Sequence, residues 1–237
     1  MNFGIIAAGE GSRLAGEGVE RSKPLVEICG TPMIGRLLDI LDRVGAERIA
    51  VIVNERMPEV ARYLEEVAPR FGGRLSVKVK STPSSMHSFH EICGSLRDCG
   101  KYVVTTVDTI FREEDFRRYI EAWENAADDV DGMMAVTTFV DDEKPLWVET
   151  GDGMDIVAFR DTPWSEARYV SGGIYGLRPE AAVVLDDCVE QGVERMRNYQ
   201  RALVAAGQRL QAFDMGRVMD IDHAPDIKKA ELWLESR

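Results

Sequence analysis

This chain is poor in patterned cysteine, in basic excess and in long apolar runs, and each shortage removes a class of function. It has four cysteines, Cys29, Cys93, Cys99 and Cys188, with no C-x-x-C spacing. That excludes a recognisable zinc motif and a disulfide-dense scaffold, and free thiols in a reducing cytoplasm are the expectation. The formal net charge is −12, so the basic surface that nucleic acid or an anionic membrane requires is not expected. A few local cations can still hold a small anion inside an acidic protein. No apolar run approaches the ~20 residues of a membrane span. The start lacks a charged segment followed by an apolar one, so no signal peptide is expected. Internal repeats, low-complexity tracts and long Pro/Ser linkers are also missing.

What remains is an ordinary globular balance. Of 237 residues, 45% are hydrophobic and 30% charged, enough for a sizeable core in one large α/β domain or two small ones. Apolar strand candidates lie at 3–8, 48–53, 75–80 and 101–107, with helical patterns at about 32–44, 57–68, 86–97 and 113–126. β-rich runs such as Ile49-Ala50-Val51-Ile52-Val53, alternating with helices, imply a mostly parallel sheet covered on both faces. The second half changes character. Met133 to Val140 reads as a strand, and 146–150 and 155–160 flank Gly151-Asp152-Gly153 as a hairpin. Tyr169 to Leu177 reads as a strand broken by Gly172-Gly173. Helices at about 179–189 and 193–206, a strand at 209–214 and a helix at about 224–235 complete the chain. The expectation is one domain whose halves, about 1–127 and 128–237, share one sheet.

The first 35 residues carry the chemistry. The strand Phe3-Gly4-Ile5-Ile6-Ala7-Ala8 breaks into Gly9-Glu10-Gly11-Ser12-Arg13, and Lys23-Pro24-Leu25 follows. Glycines that let backbone N–H groups approach oxygens, with two spaced cations, suit a phosphate group. A Walker A loop is excluded, because Gly11 and Gly16 have its spacing but Glu17 stands where lysine must be. A dinucleotide fingerprint is excluded by Leu14 at its third glycine position. The pair Ala7-Ala8-Gly9-Glu10-Gly11-Ser12-Arg13-Leu14 and Lys23-Pro24-Leu25-Val26-Glu27-Ile28-Cys29-Gly30-Thr31-Pro32-Met33-Ile34 resembles the signature of the sugar-phosphate nucleotidyltransferase family.

The resemblance implies a single-domain, Rossmann-like α/β fold of the glycosyltransferase-A-like kind, with a mostly parallel mixed sheet and helices on both faces. It implies a Mg²⁺-dependent nucleotidyltransferase in which an acceptor phosphate attacks the α-phosphorus of a nucleoside triphosphate and releases pyrophosphate. Arg13 and Lys23 then match the catalytic cations, and Ala8, Gly9, Gly11 and Ser12 lie against the nucleotide. Ser84 and Ser85, at the start of a helix, match the loop beside the base, although serines there also suit plain capping. Asp108 ends the strand Val103 to Val107, where ligands of open α/β sheets gather. It resembles the family's metal-binding acid, with helix capping as the alternative. Asp220 matches the second metal ligand. Asp222 shares its strand face, so both are candidate Mg²⁺ ligands, whereas Asp226 reads as a cap of the last helix. His223 is given no role.

On the acceptor side, Gly172 and Gly173 resemble the family's strand that makes room for a sugar, since glycine inside a strand often marks close backbone approach. The family's lysine for the sugar phosphate is missing; Thr162 occupies its position and Arg160 is the nearest substitute. If strand alternation turns Arg160 to solvent, the acceptor shifts from a sugar 1-phosphate toward an alcohol phosphate such as phosphocholine. A catalytically silent nucleotide-binding protein of the same fold is the reading from another class. A glycosyltransferase would leave Arg13 unexplained and usually places its D-x-D motif mid-chain.

Overall fold

A computed structural model describes residues 1–236. In chain order its elements are β1 (Asn2–Ala7), α1 (Ser12–Gly16), β2 (Glu27–Ile28), β3 (Thr31–Pro32), α2 (Met33–Arg43), β4 (Arg48–Val53), α3 (Pro58–Val67) and β5 (Leu75–Val79). Next come α4 (Ser85–Gly94), β6 (Tyr102–Thr106), β7 (Thr109–Ile110), α5 (Glu113–Glu124), β8 (Gly132–Thr137), β9 (Trp147–Thr150), β10 (Ile156–Arg160) and β11 (Tyr169–Leu177). The last five are α6 (Ala181–Glu190), α7 (Met196–Ala205), β12 (Leu210–Asp214), β13 (Met219–Asp220) and α8 (Ala224–Glu235).

The centre of the sheet follows from apolar runs that leave no polar face. β1 pairs in parallel with β4 on one side and β6 on the other, and β4 pairs in parallel with β5. Side chains alternate across a strand. Phe3, Ile5 and Ala7 therefore enter one buried cluster while Ile6 and Ala8 enter the other. Helices α2, α3, α5 and α8 cover the first face; α4, α6 and α7 cover the second. Helix α2 shows how local pattern becomes burial. Met33, Ile34, Leu37, Leu38, Ile40 and Leu41 are buried, and Arg43 sits in its last turn, where a cation suits the helix dipole. Each large apolar side chain so buried contributes roughly 1.5–3 kcal/mol.

The second half attaches by antiparallel pairing. β11 lies against β6, and its other side pairs with β8 and β9; β9 continues to β10 as the expected hairpin. β12 adds in parallel to β8. The result is one nine-stranded mixed sheet. The strand order β5-β4-β1-β6 reverses direction of travel at β1, and the crevice beyond the carboxyl ends of β1 and β6 is the usual ligand position in such sheets. A small two-stranded ladder, β7 with β13, lies beyond that end and carries Asp220 opposite Thr109.

Candidate active site

Three segments separated widely in sequence meet in that crevice. Gly11 takes φ +61°, the left-handed region that favours glycine, and a Cβ there would lie 2.8 Å from the Lys23 Cβ. The loop can therefore lie flat against Lys23 only because the residue is glycine. Lys23 extends from a short 3-10 turn and forms an ion pair with Asp108 and a second, at 2.8 Å, with Asp222 Oδ1. Arg13 donates to the other Asp222 oxygen at 2.7 Å. Burial works against the charged form of Lys23, but the Asp108 and Asp222 carboxylates outweigh it and hold the ammonium charged.

The carboxylates differ from one another. Burial disfavours the charged form of Asp108, yet Lys23 and a hydrogen bond from Thr106 hold it below the usual carboxylate range. Asp220 is open to the cleft on one side and enclosed by protein on the others. That enclosure, together with the Asp108 charge, pushes its carboxyl up to about 7, against a 3.1 Å hydrogen bond donated by Thr109 Oγ1. Two acids held together this way are costly unless a cation sits between them. No cluster of three or more His, Cys, Asp or Glu with metal-binding geometry occurs among the described residues. Asp108 and Asp220 are the two carboxylates that could hold a cation here, and such a pair is chemically compatible with Mg²⁺, an ion that commonly takes one or two carboxylates and completes its shell with water and phosphate oxygens.

Two cavities adjoin here. The larger, of about 680 Å³, is lined by the glycine loop from Ala8 to Arg13 and by Lys23, Ser84, Ser85 and Asp108. Every residue expected at the nucleotide is therefore in one cleft. Its neighbour, of about 280 Å³, is lined by Gly172, Asp220, Phe139 and the acidic run Asp141, Asp142 and Glu143. Arg13 and Asp222 line both.

Two acceptor-side expectations need correction. Arg160 lines neither cavity. It lies on β10, where Phe159 turns inward and Arg160 outward, and it pairs with Glu149 and stacks over Trp164. Gly173 also lines neither cavity. It takes φ +71°, and a Cβ would meet Thr109 Oγ1 at 2.7 Å, so it clears space for the threonine that holds Asp220 rather than for an acceptor. Gly172 does line the smaller cavity, but its own Cβ would point at the Ala135 carbonyl, 3.2 Å away. Asp222, expected as a candidate Mg²⁺ ligand, lines both cavities, and its two oxygens pair with Lys23 and Arg13. Asp226 caps α8, its Oδ2 accepting from His223 N–H at 2.9 Å. His223 bonds Glu17 through Nδ1 at 2.6 Å, and Glu17 also accepts from Ala224 N–H at 2.6 Å.

One contributor has no place in the motifs. Asn54 is buried directly after β4. Its Nδ2 donates to the Ala8 carbonyl at 3.1 Å, and its Oδ1 accepts from Arg56 N–H at 3.0 Å and Ser81 Oγ at 2.9 Å. It thereby ties together three loops of the larger cleft. Its signal was available: a polar residue ending an apolar parallel strand, at the carboxyl edge of the sheet.

Residues 4–151 match the model of the MobA-like NTP transferase domain. The chain belongs to that family. The match contains the glycine loop, Lys23 and Asp108 and stops before Asp220. Among curated relatives of this MobA-like protein, 2-aminoethylphosphonate cytidylyltransferase of Lancefieldella rimae is 43% identical over 65 residues, 27% of this chain and 26% of that one. The chain spans about half or less of the length of the curated relatives it matches. Among solved structures, a putative glucose-1-phosphate thymidylyltransferase from Bacillus anthracis superposes with a TM-score of 0.83 at 20% identity, covering 100% of this chain and 96% of that one. The inositol-1-phosphate CTP transferase from T. maritima gives 0.78 at 17%, covering 99% and 95%. At such identities the structural likeness speaks to the fold, an α/β single domain built on a central mixed sheet.

Proposed function

We propose that this MobA-like protein transfers a nucleotidyl group from a nucleoside triphosphate to a phosphorylated small acceptor. The observation that carries the reading is the meeting of Arg13, Lys23, Asp108 and Asp220 at the junction of two cavities. In the reaction a phosphate oxygen of the acceptor forms a bond to the α-phosphorus. The bond from that phosphorus to the bridging oxygen breaks, and its electron pair leaves with pyrophosphate. Lys23 and Arg13 supply fixed positive charge where negative charge builds up, and the glycine-loop N–H groups supply further donors. Asp108 and Asp220 would hold Mg²⁺, which offsets phosphate charge and aligns the reacting oxygens. Asn54 keeps the loops around the triphosphate in register.

The acceptor class is read from the smaller cavity. A sugar 1-phosphate follows from the resemblance. A second class, an alcohol phosphate or phosphonate bearing an amino or ammonium group, is favoured by Asp141, Asp142 and Glu143 on the cavity wall and by the outward placement of Arg160. The Lancefieldella relative, a 2-aminoethylphosphonate cytidylyltransferase, is named for an acceptor of this second class.

The test is a pyrophosphate-release screen with Mg²⁺, crossing the common nucleoside triphosphates with sugar 1-phosphates and amine-bearing alcohol phosphates and phosphonates. Release that depends on one triphosphate and one acceptor class is expected. Tight triphosphate binding with no release across the panel would favour a silent nucleotide-binding protein instead.

A further inference from the structure

Among the described residues Asp222 is the one carboxylate that lines both cavities, and it holds both candidate phosphate-binding cations. Its Oδ1 accepts from Lys23 Nζ at 2.8 Å and its Oδ2 from Arg13 at 2.7 Å. One planar anion thus spans the gap between a cation that is 11% exposed and one that is 57% exposed. The main chain around it is pinned. Ile221 N–H donates to the Asp108 carbonyl at 3.1 Å, and Asp222 N–H donates to Asp226 Oδ2 at 3.3 Å. A displacement of Asp222 would therefore have to come from its side chain, which turns about Cα–Cβ while the main chain stays bonded.

We propose that Asp222 is an internal stand-in for phosphate. Its carboxylate lies where a phosphate oxygen would bridge Arg13 and Lys23, and the triphosphate binds by displacing it. The inference rests on the nucleotidyltransferase reading and gives Asp222 a role other than the Mg²⁺ ligand expected from the sequence. The physical logic is charge balance. Without Asp222, Arg13 and Lys23 would face an empty cleft, with Lys23 neutralised by Asp108 alone. With it, the cations are held in place before substrate arrives, at the cost of competing with that substrate. A triphosphate close to both cations would also sit close to the Asp222 charge, and like charges repel. Because the same side chain lines the smaller cavity, its release also alters the charge that the acceptor meets.

Calorimetry with inorganic tripolyphosphate in EDTA tests this without any base or acceptor. Asp222→Asn should bind tripolyphosphate about tenfold more tightly than the parent, the size expected when one like charge leaves an anion site. Asp222→Ser should do the same and guards against a folding fault in either variant. Glu143→Gln removes a charge from the same cavity wall without touching either cation, and should change the affinity less than about twofold. An equal gain in Glu143→Gln would reduce the effect to general electrostatics and overturn the proposal. So would unchanged metal-free affinity in both Asp222 variants combined with a rise in the Mg²⁺ concentration needed for half-maximal activity, the signature of a lost metal ligand. If the parent binds tripolyphosphate and the Asp222 variants gain nothing, only this inference fails. If neither parent nor variants bind it in EDTA, this inference fails, while the nucleotidyltransferase reading stands or falls on the Mg²⁺-containing pyrophosphate-release screen.

Discussion

Lys23 is nearly enclosed, and two carboxylates hold it. Lys23→Ala should lower turnover by on the order of 10²-fold or more, because it removes charge stabilisation at the reacting centre. It should also lower the melting temperature, since Asp108 then lies beside Asp220 with no cation. Pyrophosphate-release kinetics and a thermal melt check both. Normal turnover in a folded variant would remove Lys23 from the site. Asp108→Asn keeps the shape of the side chain and removes its charge. The Mg²⁺ concentration for half-maximal activity should rise well above the parent's, and an unchanged metal titration would leave Asp108 without a ligand role. Asp222 and Asp108 look equivalent in sequence, each an acid after an apolar strand. Their difference lies in which cations reach them, and that depends on tertiary placement no local pattern encodes.

The strands and helices themselves were largely legible. β1, β4 and β6 are runs with no polar face, and helices α2, α3 and α5 have clear stripes, so for these six the sequence boundaries agree with the structure to within about two residues, whereas α4 and β8 end, and α7 begins, three residues inside the expected bounds. The elements that were not legible are short ones held by tertiary contact. The β7–β13 ladder joins two-residue segments too brief to show any period, yet it delivers Asp220 to the cleft. Arg160 shows the same limit. Alternation on β10 is visible in sequence, but which face is buried depends on the neighbouring strand. Arg160→Gln should therefore leave the acceptor KM within about twofold of the parent, and a large rise would return Arg160 to the acceptor site. At Gly173 the bulged strand β11 needs positive φ. Gly173→Val forces a branched side chain into that region and against Thr109, which costs on the order of 1–3 kcal/mol. A melting temperature lower by several degrees and a weakened Mg²⁺ response through Asp220 are expected. A variant impaired only in acceptor binding would contradict this account.

At the scale of the whole molecule, the two halves of the sequence do not form separate sheets. The antiparallel β11–β6 pairing places a strand of the second half directly against the first, and both buried clusters include residues from either side of it. Calorimetric unfolding should show one transition with calorimetric and van't Hoff enthalpies in agreement. Two resolved transitions would mean that the halves are separable. Charge also links distant parts. Glu17, at the end of α1, has its carboxyl lowered by the His223 hydrogen bond first and the Ala224 N–H second, while His223 is raised by the same bond. A histidine whose folded pKa is raised contributes stability that is full below its unfolded value and fades as pH rises through the folded one. Proton NMR should find His223 titrating above the ordinary histidine range in the parent and lower in Glu17→Gln. Identical titration curves would exclude the link.

The Glu17 contact to the start of α8, with the Arg13 and Lys23 contacts to Asp222, has a consequence for how the protein is made. The chain emerges from the ribosome amino end first, so the glycine loop is present early. Its partners lie 199 to 209 residues later. Until that late segment is synthesised and docks, the two cations have no Asp222 to hold them and the loop has no helix end to rest on. A nascent or truncated chain with its first half folded would carry the phosphate motif intact and still lack a finished site. Competence to bind should thus appear abruptly, with the arrival of β13 and α8.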